Sequence, residues 1–162
     1  MTRQPQLNRE EVALPDLMDD LQRLWTPTLT AHRAVFSLSA PPGVRLNVDR
    51  KQMEQLFINL VNNAVDAMPG GGTIRLEVEH DTDTSPGGLR WKFLLQDTGT
   101  GISPQNLPQV FKPMFTTKPE GKGTGLGLPI CREIVRNHGG EILLESEVGK
   151  GTRVVFTLPG AA

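Results

Sequence analysis

The chain is expected to fold as an α+β, two-layer sandwich, a mixed and largely antiparallel sheet covered on one face by about three helices. Three observations carry this expectation. Segments with apolar residues at helical spacing are separated by pairs of short strands, and adjacent pairs read as hairpins. The 17 glycines and 13 prolines of the 162 residues cluster between these segments and punctuate them. No repeat of about 20–50 residues is visible, which sets solenoids and propellers aside.

Residues 1–11 read as a polar lead-in, and the domain organisation expected is a linker over 1–10 and one folded unit over 11–160. Leu17, Leu21, Leu24, Trp25 and Leu29 recur with a helical period over 14–29, with Pro15 in the first turn, where a missing N–H is tolerated. Residues 34–39 alternate and run into Pro41-Pro42-Gly43, a strand closed by a turn, and 44–48 is expected as its short partner. Asp49 is placed to cap a helix over 50–68, whose stripe holds Met53, Leu56, Phe57, Leu60, Val61, Ala64, Val65 and Met68. Strict alternation over 73–80 and a second strand over 89–96 make a hairpin around a polar 81–88 loop. A long irregular region over 97–125, with a short helix after Ser103-Pro104, leads to a third helix over 126–137, stopped by Gly139-Gly140. Two last strands, 141–145 and 152–158, flank Gly149-Lys150-Gly151.

Composition narrows the function. Lys and Arg total 17 against 18 Asp and Glu, a formal charge of -1, which disfavours a general nucleic-acid binder. A single cysteine, Cys131, excludes an intrachain disulfide framework and fits a reducing compartment. No apolar run approaches the ~18 residues of a membrane span, and the polar start lacks a secretion signal's apolar core.

Four segments bear on function. On the middle helix Gln52, Gln55, Asn59, Asn62, Asn63 and Asp66 fall within about a third of the circumference. That stripe reads either as a solvated face or as a ligand surface. Asn is a poor helix former that gains nothing on bare surface, and Asn59 and Asn63 stand one turn apart, about 6 Å along the axis. Amide and carboxylate oxygens supplemented by water suit Mg²⁺. In Asp97-Thr98-Gly99-Thr100-Gly101, a carboxylate just past a strand is followed by glycines that let backbone approach a flat ligand. An ionised Asp only accepts hydrogen bonds, so it would favour the amino group of adenine over the carbonyl of guanine; the alternative is a turn with Asp as local cap. In Gly121-Lys122-Gly123-Thr124-Gly125-Leu126-Gly127-Leu128, alternating glycines free backbone N–H groups for anionic oxygens just before a helix N-terminus. It lacks the G-K-[ST] ending of a Walker A loop and the preceding strand of a dinucleotide fingerprint. Lys112, Lys118 and Lys122 make the region locally basic. Phe111 and Phe115 flank Pro113 in an otherwise polar stretch, placed as a lid anchor or a core plug.

In this order the segments resemble the catalytic, ATP-binding domain of bacterial sensor histidine kinases, over about residues 10–159. Asn59 to Met68 resembles the N box, 97–101 the first glycine box, 111–118 the F box and 121–128 the second glycine box. His138-Gly139-Gly140 and Gly149-Lys150-Gly151-Thr152 look like the family's tail.

The resemblance implies a Bergerat-type sandwich, adenine held by Asp97 with Thr152 helping through water, Mg²⁺ held by Asn63, and an ATP lid over 102–125. It implies ATP and Mg²⁺ as cofactors and Asn59, Asn63 and Lys118 as the catalytic set. The nucleotide contacts it implies are Asn59, Asn63, Asp66, Asp97, Gly99, Gly101, Ile102, Phe111, Thr116, Thr117, Lys118, Gly121, Lys122, Gly123, Thr124, Gly125, Leu126, Gly127, Leu128 and Thr152.

Hydrolytic relatives carry Glu where this chain has Asn59, and an amide cannot serve as a general base. The activity implied is transfer of the γ-phosphoryl group to a histidine on a separate dimerisation domain, with a response regulator further downstream. A stand-alone ATPase or anti-sigma Ser/Thr kinase is the alternative. Asp66 stands where some members have a basic residue, so phosphate contacts lean on the lid lysines. His32, His80 and His138 lack the setting of a phosphoacceptor histidine and read as structural or surface residues. The domain is expected to be monomeric and cytoplasmic, without nucleic-acid or membrane contact of its own.

Overall fold

A computed structural model describes residues 6–81, 89–111 and 127–161. The elements run β1 (Arg9–Ala13), α1 (Leu14–Ala31), β2 (Ala34–Ser39), β3 (Arg45–Asp49), α2 (Arg50–Asp66), β4 (Gly72–His80), β5 (Arg90–Asp97), a short 3-10 turn (Leu107–Gln109), α3 (Gly127–Asn137), β6 (Ile142–Glu147) and β7 (Gly151–Pro159). Five strands form one sheet in the order β2-β4-β5-β7-β6, while β1 and β3 pair separately. Within the larger sheet β2 and β4 run parallel and the other neighbours antiparallel. This is the expected α+β sandwich.

Two expectations need correction. The polar lead-in does not reach residue 11, because Arg9 and Glu10 already belong to β1. The strand after Pro41-Pro42-Gly43 does not pair with β2. It pairs antiparallel with β1, from Arg9 opposite Asp49 to Ala13 opposite Arg45. β2 instead lies beside β4, Ala34 opposite Gly72. Parallel neighbours cannot be joined by a tight turn, so the helix and strand between them make the crossover.

The helical stripes face the sheet as their spacing requires. On α2, Met53, Leu56, Phe57, Leu60, Val61, Ala64 and Val65 are buried. Phe57 packs edge-on against Phe93 and Phe156, both centroids 5.8 Å away, and those two rings stack at 5.1 Å. Each such ring contributes about 1.5–3 kcal/mol by burial. Asp49 caps α2: its Oδ1 accepts from the N–H groups of Lys51 (3.1 Å) and Gln52 (3.3 Å). His138, at the end of α3, is buried and structural. Its Nδ1–H donates to Ile134 O over 2.8 Å and its Nε2 accepts the Asp49 N–H over 3.1 Å. His32 and His80 are exposed, as surface residues.

The inward rows of three neighbouring strands become polar at one end of the sheet. Phe93 and Leu95 lead to Asp97 on β5, Phe156 and Val154 to Thr152 on β7, and Ile142 and Leu144 to Ser146 on β6. An otherwise apolar sheet face thus ends in a carboxylate and two hydroxyls.

Candidate nucleotide site

Asp97 is 7% exposed and takes its place in a row that otherwise holds aliphatic and aromatic side chains. Its Oδ1 accepts the N–H of Gly99 at 2.8 Å and of Thr152 at 3.2 Å, and neither bond uses Oδ2. Burial pushes the carboxyl above the ordinary carboxylate range, with the two N–H groups opposing the rise. The turn-capping alternative is met by Oδ1 alone, and these two bonds leave Oδ2 out.

The glycines after Asp97 are demanded by close packing. A Cβ on Gly99 would collide with Ala67 O, and one on Gly101, at φ 77°, with Glu147 O. Thr100 donates its N–H to Ala67 O over 2.9 Å and accepts from Gly149 N over 2.8 Å. The loop is thereby wedged between the end of α2 and the β6–β7 turn.

α2 brings its polar stripe to the same place, but not all of it. Gln52, Asn59 and Asn63 are half-buried, whereas Gln55, Asn62 and Asp66 are exposed. Asn59 hydrogen-bonds the side chain of Cys131 on α3, whose thiol burial pushes up to about 12. Asn63 faces the start of α3: a Cβ on Gly127 would lie 3.5 Å from its Nδ2 and 3.6 Å from its Oδ1. A side chain at 127 would therefore touch that amide.

Ile102 donates its N–H to Ser146 Oγ over 2.7 Å, which ties the first residue of the 102–111 segment to β6. Phe111 packs against the core, with the Arg132 guanidinium 5.1 Å over its ring. Leu128 also packs against the core, as the second residue of α3. Lys112, Thr116, Thr117, Lys118, Gly121, Lys122, Gly123, Thr124, Gly125 and Leu126 lie outside the described residues, as does the 82–88 loop.

Ser146 is the residue that sequence reasoning missed. Between exposed Glu145 and Glu147 it looks like one more solvated position. The available signal is register: the tight turn at 148–150 sets Ser146 directly opposite Thr152.

Residues 48–162 match the family described as histidine kinase-, DNA gyrase B-, and HSP90-like ATPase. The chain belongs to this family. Its members' resemblance to the present chain extends across sequence and fold. Sporulation kinase C of Bacillus subtilis (strain 168) is 39% identical over 72% of this chain and 26% of its own length. Sensor kinase CckA of Brucella abortus (strain 2308) is 37% identical over 98% of this chain and 18% of its own. Among solved structures, the nucleotide-free catalytic domain of the histidine kinase ThkA superposes with a TM-score of 0.79 at 30% identity, covering 94% of this chain and 95% of that one. The chain therefore has the histidine-kinase type of this ATP-binding fold, and it spans about a quarter or less of the two curated kinases. No helix among the described residues is long and apolar enough to cross a membrane.

Proposed function

We propose that this chain binds Mg-ATP and donates the γ-phosphoryl group to a histidine on a separate helical dimerisation domain of a two-component sensor kinase. The observation that carries the reading is Asp97: a buried carboxylate with one oxygen held by two backbone N–H groups and the other outside those bonds. Such an oxygen accepts from the amino group of adenine and repels the carbonyl of guanine.

The triphosphate would run from Asp97 along the end of α2 toward Asn63 and Gly127, where the N-terminus of α3 favours negative charge. Among the described residues no three His, Cys, Asp or Glu side chains are grouped closely enough to hold a metal ion. A divalent cation would take the Asn63 amide oxygen, phosphate oxygens and water, a donor set that suits Mg²⁺. The ion would supply charge neutralisation at the phosphates. Lys118, Lys122 and the alternating glycines of 121–127 would cover the phosphates as a lid, with Phe111 and the Phe115 beyond it as its anchor.

Asn59 favours transfer over hydrolysis. Its amide is engaged by Cys131 and has no basic lone pair with which to take a proton from water. Catalysis would rest on positioning and charge stabilisation while an outside imidazole attacks in line. Partners would be the phosphoacceptor domain and, through it, a response regulator, with the reaction on the cytoplasmic side.

The test is to mix the chain with a purified helical phosphoacceptor domain and ATP labelled on the γ-phosphate. Acid-labile label on a histidine of that domain, dependent on Asp97, is expected. Steady release of inorganic phosphate by the chain alone, with no transfer to any such domain, would favour the ATPase alternative.

A further inference from the structure

We infer that Ser146 is a positioning residue for base selection, which locks the Thr152 hydroxyl as a pure hydrogen-bond acceptor beside Asp97. The inference rests on the nucleotide reading of Asp97 given above.

The hydrogen-bond inventory around Ser146 closes. A serine hydroxyl has one hydrogen and two lone pairs. Ser146 Oγ lies 3.0 Å from Gly151 O, and a carbonyl only accepts, so the Ser146 hydrogen goes there. The backbone N–H of Ile102 donates to Ser146 Oγ over 2.7 Å and fills one lone pair. The remaining neighbour is Thr152 Oγ1 at 2.9 Å. With the serine hydrogen spent, this contact is made with the threonine hydrogen, which fills the second lone pair. Thr152 then has no proton left to give.

Thr152 is 7% exposed, and its own N–H goes to Asp97 Oδ1 over 3.2 Å. Hydroxyl and carboxylate are therefore neighbours that present only lone pairs to a ligand. A purine whose six-position carries an amino group meets them with hydrogens. A six-position carbonyl finds no donor at either side chain. Without Ser146, the threonine hydroxyl is free to turn and donate, and a carbonyl purine is rejected by Asp97 alone, less strongly than by the pair. Ser146 thus sharpens selection against guanine without touching the base.

The experiment measures affinity for ATP, GTP and ITP in the presence of Mg²⁺, in the wild-type chain and in Ser146→Ala, Thr152→Val and the double variant. The ATP-to-GTP preference is expected to fall about tenfold in Ser146→Ala, the weight of one hydrogen bond. The Thr152→Val background should absorb that effect, because Ser146 acts through that hydroxyl. Ser146→Thr, which keeps the hydroxyl, should restore the preference. An unchanged ratio in Ser146→Ala, or an equal further loss in the double variant, overturns the inference. Should Ser146→Ala not fold, Ser146→Cys weakens the same three bonds with little change of shape, and an unchanged ratio there is equally decisive. A wild-type chain that does not distinguish ATP from GTP would instead sink the Asp97 reading itself.

Discussion

Asp49 donates its backbone N–H to Nε2 of His138 across 3.1 Å, so the residue that caps α2 is held by the residue that follows α3. The same aspartate uses Oδ1 to cap α2 and Oδ2 to accept the N–H of Asn8 at 3.1 Å. With Nδ1–H given to Ile134 O, the imidazole is neutral and fully engaged.

This arrangement makes stability depend on mild acid. Burial lowers the readiness of His138 to take a proton; the Ile134 carbonyl opposes that shift, Arg9 adds to it and Asp49 opposes it. The unfolded imidazole protonates near about pH 6.5, the folded one only at lower pH. Between those values the unfolded state binds more protons, so stability is fully present above about pH 6.5 and falls as pH drops toward the folded value. Urea unfolding followed from pH 7.5 to 5 should show this loss. His138→Leu should remove that part of the slope. It should also cost about 1–3 kcal/mol at pH 7.5, because the Asp49 N–H is left unpaired.

Asp97→Asn should change which base is preferred rather than merely weaken binding. The amide oxygen can keep the Gly99 and Thr152 bonds, and its NH₂ then faces outward as a donor. ATP affinity should fall about 10- to 100-fold, as a hydrogen bond to an ionised group contributes about 1.5–3 kcal/mol, while GTP affinity rises. In the wild type, ATP affinity should decline on acidification from a pH above the usual carboxylate range. Isothermal titration at several pH values checks both, and the pH effect should vanish in Asp97→Asn.

Asn63→Ala should act on the cation-dependent part of binding. Affinity for ATP with Mg²⁺ is expected to fall at least about tenfold, while affinity in EDTA stays within about twofold, since one cation ligand is lost and the base contacts remain. Equal losses with and without the metal would remove Asn63 from the cation site.

Cys131 should be inert in the folded chain. Its thiol is fully buried, bonds to Leu56 O at 3.8 Å and ionises only at about 12. Iodoacetamide at pH 8 should modify it only after addition of denaturant, as read by mass spectrometry, because the thiolate is the reactive form.

The fold was legible wherever one strand or helix carried its own pattern. β4 alternates strictly, and α2 announces itself through an acidic cap and a broad apolar stripe. β1 carried no such pattern: of Arg-Glu-Glu-Val-Ala only Val12 is buried, so nothing alternates. The partner of β3 could not be read because pairing is a choice between distant segments, made here by burying Val12, Leu46 and Val48 together. Asp97, Asn59 and Asn63 stood out because carboxylates and amides are unusual at a strand end and in a helix stripe. Ser146 did not, since a lone serine between two glutamates acquires meaning only from what the opposite strand places beside it.

Thr100 is fastened to Ala67 O, and the Ala67 N–H returns to Asn63 O over 3.1 Å. Ala67 and Asn63 stand four residues apart at the end of α2, about 6 Å along the axis. The carboxylate loop and the helical amide are thereby mounted on a single stiff caliper. On the nucleotide reading proposed above, the span from base to polyphosphate would then be gauged by the scaffold rather than found by adjustment.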